Sequence, residues 1–224
     1  MKLSSRAYDL FNAFEQPGCP VCRLTMASVH QYLDSLIYEY VNKPATHMMV
    51  RAARGFCPRH GWHIQNEINA SAVGIAVLYE GLVRNLLKDM GNPDPKGGKR
   101  HVAQIADALA PQAPCPACEH QRTVEEHLLR NLLEHIGQDE FAAGFERSAG
   151  LCLPHLRQMI DADGSARAKA HVLALQQAVW SRLQKDLELF YDKQDYHHLR
   201  EDMGAEGDSP RRAIESFSGA DGVR

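Results

Sequence analysis

Apolar residues recur at helical spacing along most of this chain. In segments 24–41 and 124–136 they stand mostly three or four positions apart, which places them on one side of an α-helix. The same spacing predicts two later helices, one ending at Met90 and the other carrying apolar side chains from Leu173 to Phe190. No segment alternates between apolar and polar residues as a β-strand would. The pattern therefore predicts an all-α fold.

Two similar units follow one another in the sequence. The run Cys19-Pro-Val-Cys22 recurs as Cys115-Pro-Ala-Cys118. Likewise, Cys57-Pro-Arg-His60 recurs as Cys152-Leu-Pro-His155. The flanking helical segments align as well, and a segment rich in Gly and Pro, residues 91–98, separates the copies. Several matches in the same order predict two tandem, pseudo-symmetric helical repeats.

This organisation predicts three parts of the chain. Residues 1–98 would form the first helical metal-binding repeat, and residues 99–192 the second. Residues 193–224 are polar, mixed in charge and rich in Gly, Asp and Arg, so we expect a mostly disordered tail. Within that tail, Ser209-Pro210 is a helix-start signal and predicts one short helix.

The repeated cysteines and histidines have the spacing of metal ligands. A Cys-x-x-Cys turn can direct two sulfur atoms at one centre, and a Cys-x-x-His turn adds a third sulfur and an imidazole. Three thiolates and one imidazole make a closed tetrahedral set that suits structural zinc, and no cysteine is left over. We therefore predict two zinc ions per chain. The predicted ligands are Cys19, Cys22, Cys57, His60, Cys115, Cys118, Cys152 and His155.

Each ion is expected to be held within its own repeat. The first site would use the four ligands between residues 19 and 60, and the second the four between residues 115 and 155. Loop entropy does not decide the pairing, because each doubling of a loop costs only about 0.6 kcal/mol. The expectation comes from the duplication, since an ancestral single copy would have folded with its own ligands.

Three other roles for the cysteines are open at this stage. They can be ordinary buried core residues, although core packing requires no repeated spacing. A [4Fe–4S] cluster also takes cysteine ligands, but four cysteines are usual and each repeat offers three. A dithiol redox pair is the third alternative, although its usual βαβ context is absent from the pattern.

The composition is that of an ordinary globular protein, with 44% hydrophobic and 24% charged residues. The net charge of −3 and the pI of about 6.4 suggest neither nucleic acid nor an anionic membrane as partner. The first residues lack a secretory signal, and the longest apolar stretch, residues 73–79, is too short to cross a bilayer. We expect a cytoplasmic protein, in which six cysteines favour metal or redox chemistry over disulfides.

Familiar enzyme signatures are absent from the sequence. It contains no H-E-x-x-H, no nucleotide-binding P-loop and no G-x-S-x-G elbow. His63 and His120 lie near predicted ligands, but the positions aligned with them are Gln158 and Leu24, so we do not count them as ligands. With a histidine completing each site, no coordination position is left for a substrate. A non-enzymatic role is therefore favoured.

Taken together, the runs at residues 18–22, 32–36, 51–60 and 150–155 resemble an uncharacterised family of prokaryotic cytosolic proteins, a domain of unknown function. The resemblance covers roughly residues 5–190. It supports the repeat and the metal-binding interpretation, and it implies no activity.

Two classes of function follow from these observations. The first is a zinc-stabilised helical scaffold that binds a protein partner or regulates one. The second is a cytosolic redox or metal sensor, in which thiolates oxidise and release zinc. An enzyme is a third class, and it would require a cleft with reactive groups that the sequence does not identify.

Overall fold

The computed structural model describes residues 3–68, 72–194 and 202–221. These residues form eleven α-helices and no β-strand, which confirms the all-α prediction. Within the same residues, no helix combines the length and the apolar character needed to cross a membrane.

Most of the helices are short, and α10 is the longest of them. In chain order they are α1 (Ser5–Ala13), α2 (Pro20–Tyr38), α3 (Pro44–Ala52), α4 (Pro58–Asn66), α5 (Ala72–Met90), α6 (Lys99–Leu109), α7 (Pro116–His135), α8 (Asp139–Arg147), α9 (Leu153–Asp161), α10 (Ala166–Asp192) and α11 (Ser209–Ser218).

Prolines mark many of the helix starts. Pro20, Pro44, Pro58 and Pro116 are the first residues of α2, α3, α4 and α7. Proline suits this position because its ring fixes φ at a helical value and its missing N–H would have no partner in the first turn. Helix α1 begins differently, with Ser4 as a cap whose hydroxyl accepts a backbone hydrogen bond.

The chain divides into two compact units. The described part of unit 1 comprises residues 3–26, 123–194 and 202–221, and that of unit 2 comprises the described residues between 27 and 122. The borders fall within α2 and α7. The units therefore do not follow the division of the sequence into two copies, and the repeat itself stays an interpretation of the sequence.

Unit 1 contains an aromatic cluster. The ring of Phe14 lies edge-on to those of Phe141 and Phe145, with centroids 5.0 and 5.7 Å apart. Phe11 stacks against Phe141 at 5.9 Å. Aromatic pairs favour these arrangements, which add to the stability gained by burying the rings. The same apolar core contains three of the predicted cysteine ligands, so the core of unit 1 extends to a candidate site.

Unit 2 has an aliphatic core. Leu33 and Ile37 stand one helical turn apart on α2, and both are almost fully buried with Ile64 of α4 and Leu78 of α5. Ala117, at the start of α7, belongs to the same cluster and is fully buried. This core therefore joins α4 and the start of α7 to the middle of α2.

Among the C-terminal residues that the structure describes, residues 209–218 form a helix that packs on other helices. Helix α11 begins at Ser209, as the Ser-Pro signal predicts, and it contacts α9 and α10. Phe217 stacks on Trp180 of α10 at a centroid distance of 5.9 Å. The expectation of a mostly disordered tail stays a prediction: residues 209–218 form the short helix expected within it, and residues 202–208 are not helical. Other tail residues lie outside the described part of the chain.

Candidate metal centres

The eight predicted ligands come together in two groups of three cysteines and one histidine. In each group the four donor atoms lie within 4.8 Å of one another, so each can hold a metal ion. None of the six cysteines forms a disulfide. Site 1, in unit 1, consists of Cys19, Cys22, Cys152 and His155. Site 2, in unit 2, consists of Cys57, His60, Cys115 and Cys118.

Each pair of donors is positioned by the start of a helix. Cys57 and Cys152 directly precede α4 and α9, in extended backbone with φ of −63° and −67°. Cys19 and Cys115 likewise directly precede α2 and α7. The second donor of each pair lies three positions later, in the first helical turn, where it can face the same centre. Local structure alone therefore produces four two-donor units.

In site 1, the donor atoms surround a single point. Cys22 Sγ and Cys152 Sγ lie 3.6 Å apart. His155 Nδ1 lies 3.6 Å from Cys19 Sγ, 3.3 Å from Cys22 Sγ and 3.2 Å from Cys152 Sγ. These separations are far longer than a disulfide bond and are close to one another. The imidazole therefore faces the three sulfurs through one ring nitrogen.

Site 2 repeats this arrangement with the other four donors. Cys57 Sγ and Cys118 Sγ lie 3.6 Å apart. His60 Nδ1 lies 3.3 Å from Cys57 Sγ, 3.6 Å from Cys115 Sγ and 3.4 Å from Cys118 Sγ. The two sites therefore have nearly equal internal distances, although different helices form them.

The pairing of the donors corrects the sequence-based expectation. Each site combines the Cys-x-x-Cys of one repeat with the Cys-x-x-His of the other, so the prediction that each ion is held within its own repeat was wrong. Apolar packing explains the exchange. Val21, inside the first Cys-x-x-Cys, is fully buried in the same core as Leu156, which follows His155. Ala117, inside the second, is buried in the same core as Ile64 of α4.

A carboxylate stands behind the histidine of site 1. Glu125 Oε1 lies 3.4 Å from His155 Nε2, the ring nitrogen that faces away from the sulfurs. Glu125 is almost fully buried, and its other oxygen accepts a hydrogen bond of 3.1 Å from Gln158 Nε2. Carboxylates in this position fix the orientation and tautomer of a metal-binding histidine. Site 1 therefore has a second layer of polar contacts.

These contacts change the acidity of His155. Burial would lower the pKa of this imidazole, but hydrogen bonds to Cys22 and Glu125 outweigh burial and raise the pKa to about 9. The raised pKa reflects the acidic groups on both sides of the ring. A metal ion bound at Nδ1 would take the place of that proton.

The surroundings of site 2 are cationic instead. Burial, the guanidinium of Arg59 and nearby His63 lower the pKa of His60 to about 4, so its imidazole is neutral at physiological pH. One nitrogen of Arg59 donates a 2.6 Å hydrogen bond to Gln121, while Nε and Nη1 are buried without a hydrogen-bond partner among the described residues. The cysteines of site 2 are also partly exposed. Site 2 is therefore the more accessible centre.

Spacing of cysteines and histidines did not identify Glu125 or Arg59. A signal for Glu125 is present in the sequence, because it stands three, four and seven positions before Leu128, Leu129 and Leu132. All three leucines are buried, so an acidic residue occupies the apolar side of α7. Arg59 carries no comparable signal, since its aligned position in the other copy is Pro154.

The two other histidines near the sites stand outside both donor groups. His63 lies 3.3 Å from His30, and its other ring nitrogen faces Glu67 at 3.5 Å. His120 lies 2.9 Å from the hydroxyl of Ser28, and its ring stacks on Tyr32. Their contacts are those of polar residues beside site 2.

The chain belongs to a family of unknown function, DUF6062, whose sequence profile matches residues 1–222. Among curated proteins it is similar to an uncharacterised 23.9 kDa protein in the xynA 3' region of Caldicellulosiruptor sp. (strain Rt8B.4). The two are 22% identical over 189 residues, which cover 83% of this chain and 87% of the relative. No solved structure matches the chain significantly. The comparisons therefore give a family without an activity.

Mild oxidation of metal-free protein tests the crossed pairing. With diamide, we expect disulfides only between cysteines of the same site, including Cys22–Cys152 and Cys57–Cys118, because those sulfurs are 3.6 Å apart. Peptide mapping by mass spectrometry under non-reducing conditions identifies the bonds. A disulfide that joins Cys57 to Cys19 or Cys22 would contradict the arrangement described above.

Proposed function

We propose that this member of the family binds two zinc ions, one in each site, and that both ions are structural. The observation that carries the proposal is that the donor distances lie close to the edge lengths of a zinc tetrahedron. Zinc–sulfur bonds of about 2.3 Å and zinc–nitrogen bonds of about 2.0 Å place two sulfurs about 3.8 Å apart, and a sulfur and a nitrogen about 3.5 Å apart. The distances in both sites, 3.6 Å and 3.2–3.6 Å, lie close to these values.

The same distances disfavour an iron–sulfur cluster. A four-iron cluster binds each protein donor to a different iron atom, which holds the donors much farther apart than two ligands of one ion. All four donors of each site lie within 4.8 Å of one another. Single-ion binding, with soft thiolate donors that zinc accepts, fits this compactness.

The proposed role of each ion is to join helix starts that are distant in the chain. In site 1 the joined residues include Cys19 and His155, which are 136 positions apart. Four protein donors fill a tetrahedral zinc site and leave no position for a substrate. This completeness supports a helical scaffold, and we infer that its activity is to bind or regulate a protein partner, in the cytoplasm where thiolates stay reduced.

One observation favours a redox sensor as the second candidate. The cysteines of site 2 are partly exposed, and the cationic guanidinium of Arg59 lies close enough to lower the pKa of His60. Partly exposed thiolates beside a cation are the ones that oxidise first. Hydrogen peroxide would take two electrons from the thiolates of Cys57 and Cys118, which become a disulfide, and two protons from solvent, to form two water molecules. The disulfide removes two ligands and releases the ion.

Elemental analysis of the purified protein tests the main proposal. We expect two zinc ions per chain, and one ion in either Cys152→Ser or Cys57→Ser. In Cys152→Ser, iodoacetamide should modify Cys19 and Cys22, because their site has lost a ligand, while Cys115 and Cys118 stay protected. Iron with acid-labile sulfide, or protein with no metal, would contradict the proposal. Modification of Cys115 and Cys118 instead would support the pairing of donors within each repeat.

Substitution of the carboxylate behind His155 tests the second layer of site 1. We expect Glu125→Gln to weaken zinc binding at site 1 by about 10- to 100-fold, because the neutral amide no longer favours the correct imidazole orientation. Competition with a chromophoric chelator measures the affinity of each site. Glu134→Gln is the matched control, since Glu134 is exposed on the same helix. Equal affinities in all three proteins would exclude this role for Glu125.

Peroxide treatment distinguishes the sensor from the scaffold. For a sensor, we expect one equivalent of zinc to be released at low peroxide, with a Cys57–Cys118 disulfide, and a thiol reductant to restore binding. Arg59→Gln should slow the release if the cation promotes oxidation. Retention of both zinc ions until the protein unfolds would contradict the sensor and favour the scaffold.

A further inference from the structure

The C-terminal segment, residues 209–221, lies across the surface of unit 1. It consists of α11 and the three residues that follow it. Helix α11 contacts α9, which begins with a Cys-x-x-His pair, and α10. The segment is therefore placed close to the donors of site 1.

A small set of contacts anchors the segment to α10. Phe217 stacks on Trp180, whose indole Nε1 donates a 2.9 Å hydrogen bond to the hydroxyl of Ser216. Arg212 Nη1 forms an ion pair of 2.9 Å with Asp186. Phe217 nevertheless remains 56% exposed. The anchor is specific, but it buries little apolar surface.

The end of the segment reaches the sulfur atoms of site 1. Gly219 is buried and has φ of +80°, a conformation that favours glycine. A methyl group added to it would lie 3.5 Å from Cys22 Sγ and 3.7 Å from Cys152 Sγ. The backbone of Gly219 thus lies directly over two of the three sulfurs.

This cover coincides with the burial of site 1. Cys22, Cys152 and His155 are each only 1% exposed. A pocket of about 510 Å³ is lined both by Cys19 and Cys152 of the site and by Glu215 and Ser216 of α11. Helix α11 and site 1 therefore border the same pocket.

We propose that the C-terminal segment is a removable cover that controls access of chelators and thiol reagents to site 1. This proposal rests on the proposed zinc-binding function for the identity of the protected metal, whereas the cover itself is argued from the contacts of the segment. Segments with few buried contacts open at a lower free energy than the whole fold. Exchange of the metal in site 1 then occurs when the segment leaves, without unfolding of unit 1.

Zinc release from the full-length holoprotein tests the cover. With a chelating dye in excess, we expect Phe217→Ala to accelerate release from site 1 by about tenfold, since such a factor corresponds to losing one aromatic contact. Gly219→Val should have a similar effect through a different contact, because valine disfavours positive φ and adds bulk against the sulfurs. Ile214→Ala is the control on the same helix, as Ile214 is 67% exposed. In the variant Cys57→Ser, which lacks a ligand of site 2, zinc is released from site 1, so its time course identifies the kinetic phase of site 1.

Alkylation of metal-free protein tests the same cover without zinc. We expect iodoacetamide to modify Cys22 and Cys152 faster in Phe217→Ala and Gly219→Val than in Ile214→Ala, with unchanged rates at Cys57 and Cys118. Trypsin cleavage after Arg211 reports whether the segment has detached. A detached segment with unchanged rates at site 1, or an equal acceleration at both sites, would overturn the proposal. If the purified protein contained no zinc, the proposed function would fail. The alkylation rates would still show whether the segment covers site 1.

Discussion

Both sites depend on the starts of α-helices, each of which places two donors one helical turn apart. A helix N-terminus has unpaired backbone N–H groups and a partial positive charge, which stabilise a negative sulfur placed there. Site 1 combines the starts of α2 and α9, and site 2 those of α4 and α7. A divalent cation among the donors would offset the repulsion between thiolates held this close. The chemistry of the sites and the placement of these helices are therefore parts of one arrangement.

The sequence predicts which residues are donors better than it predicts which donors share a site. The spacing within each donor pair is a local property, because one helical turn is enough to bring the two donors together. Which pairs meet depends on how helices pack, and the buried residues inside the two Cys-x-x-Cys runs, Val21 and Ala117, are apolar residues with no distinctive pattern. The similarity of the two sequence units led to the wrong pairing, because the expectation relied on an assumed single-copy ancestor and took no account of helix packing. Helix α11 was predictable from Ser209-Pro210, but its contact with Trp180 was not.

The same donor set has opposite electrostatic surroundings in the two sites. Three thiolates, one neutral imidazole and a divalent ion carry a net charge of about −1. At site 1 the buried carboxylate of Glu125 adds negative charge, which its hydrogen bonds to His155 and Gln158 help to compensate. At site 2 the guanidinium of Arg59 opposes that charge, and solvent is closer. Equal ligands therefore do not imply equal exchange rates or equal sensitivity to oxidants.

The crossed pairing of the donors bears on how such a chain could have arisen. A single copy built in this way would direct its Cys-x-x-Cys and its Cys-x-x-His toward different centres. It would complete a site only by exchanging donors with a second, identical chain, as in a domain-swapped dimer with two-fold symmetry. In this chain all eight donors belong to one polypeptide, so the formation of both sites is intramolecular and does not depend on protein concentration. In one polypeptide the two centres can also differ from each other, as the carboxylate of Glu125 at site 1 and the guanidinium of Arg59 at site 2 do, whereas the two centres of a symmetric dimer would be identical.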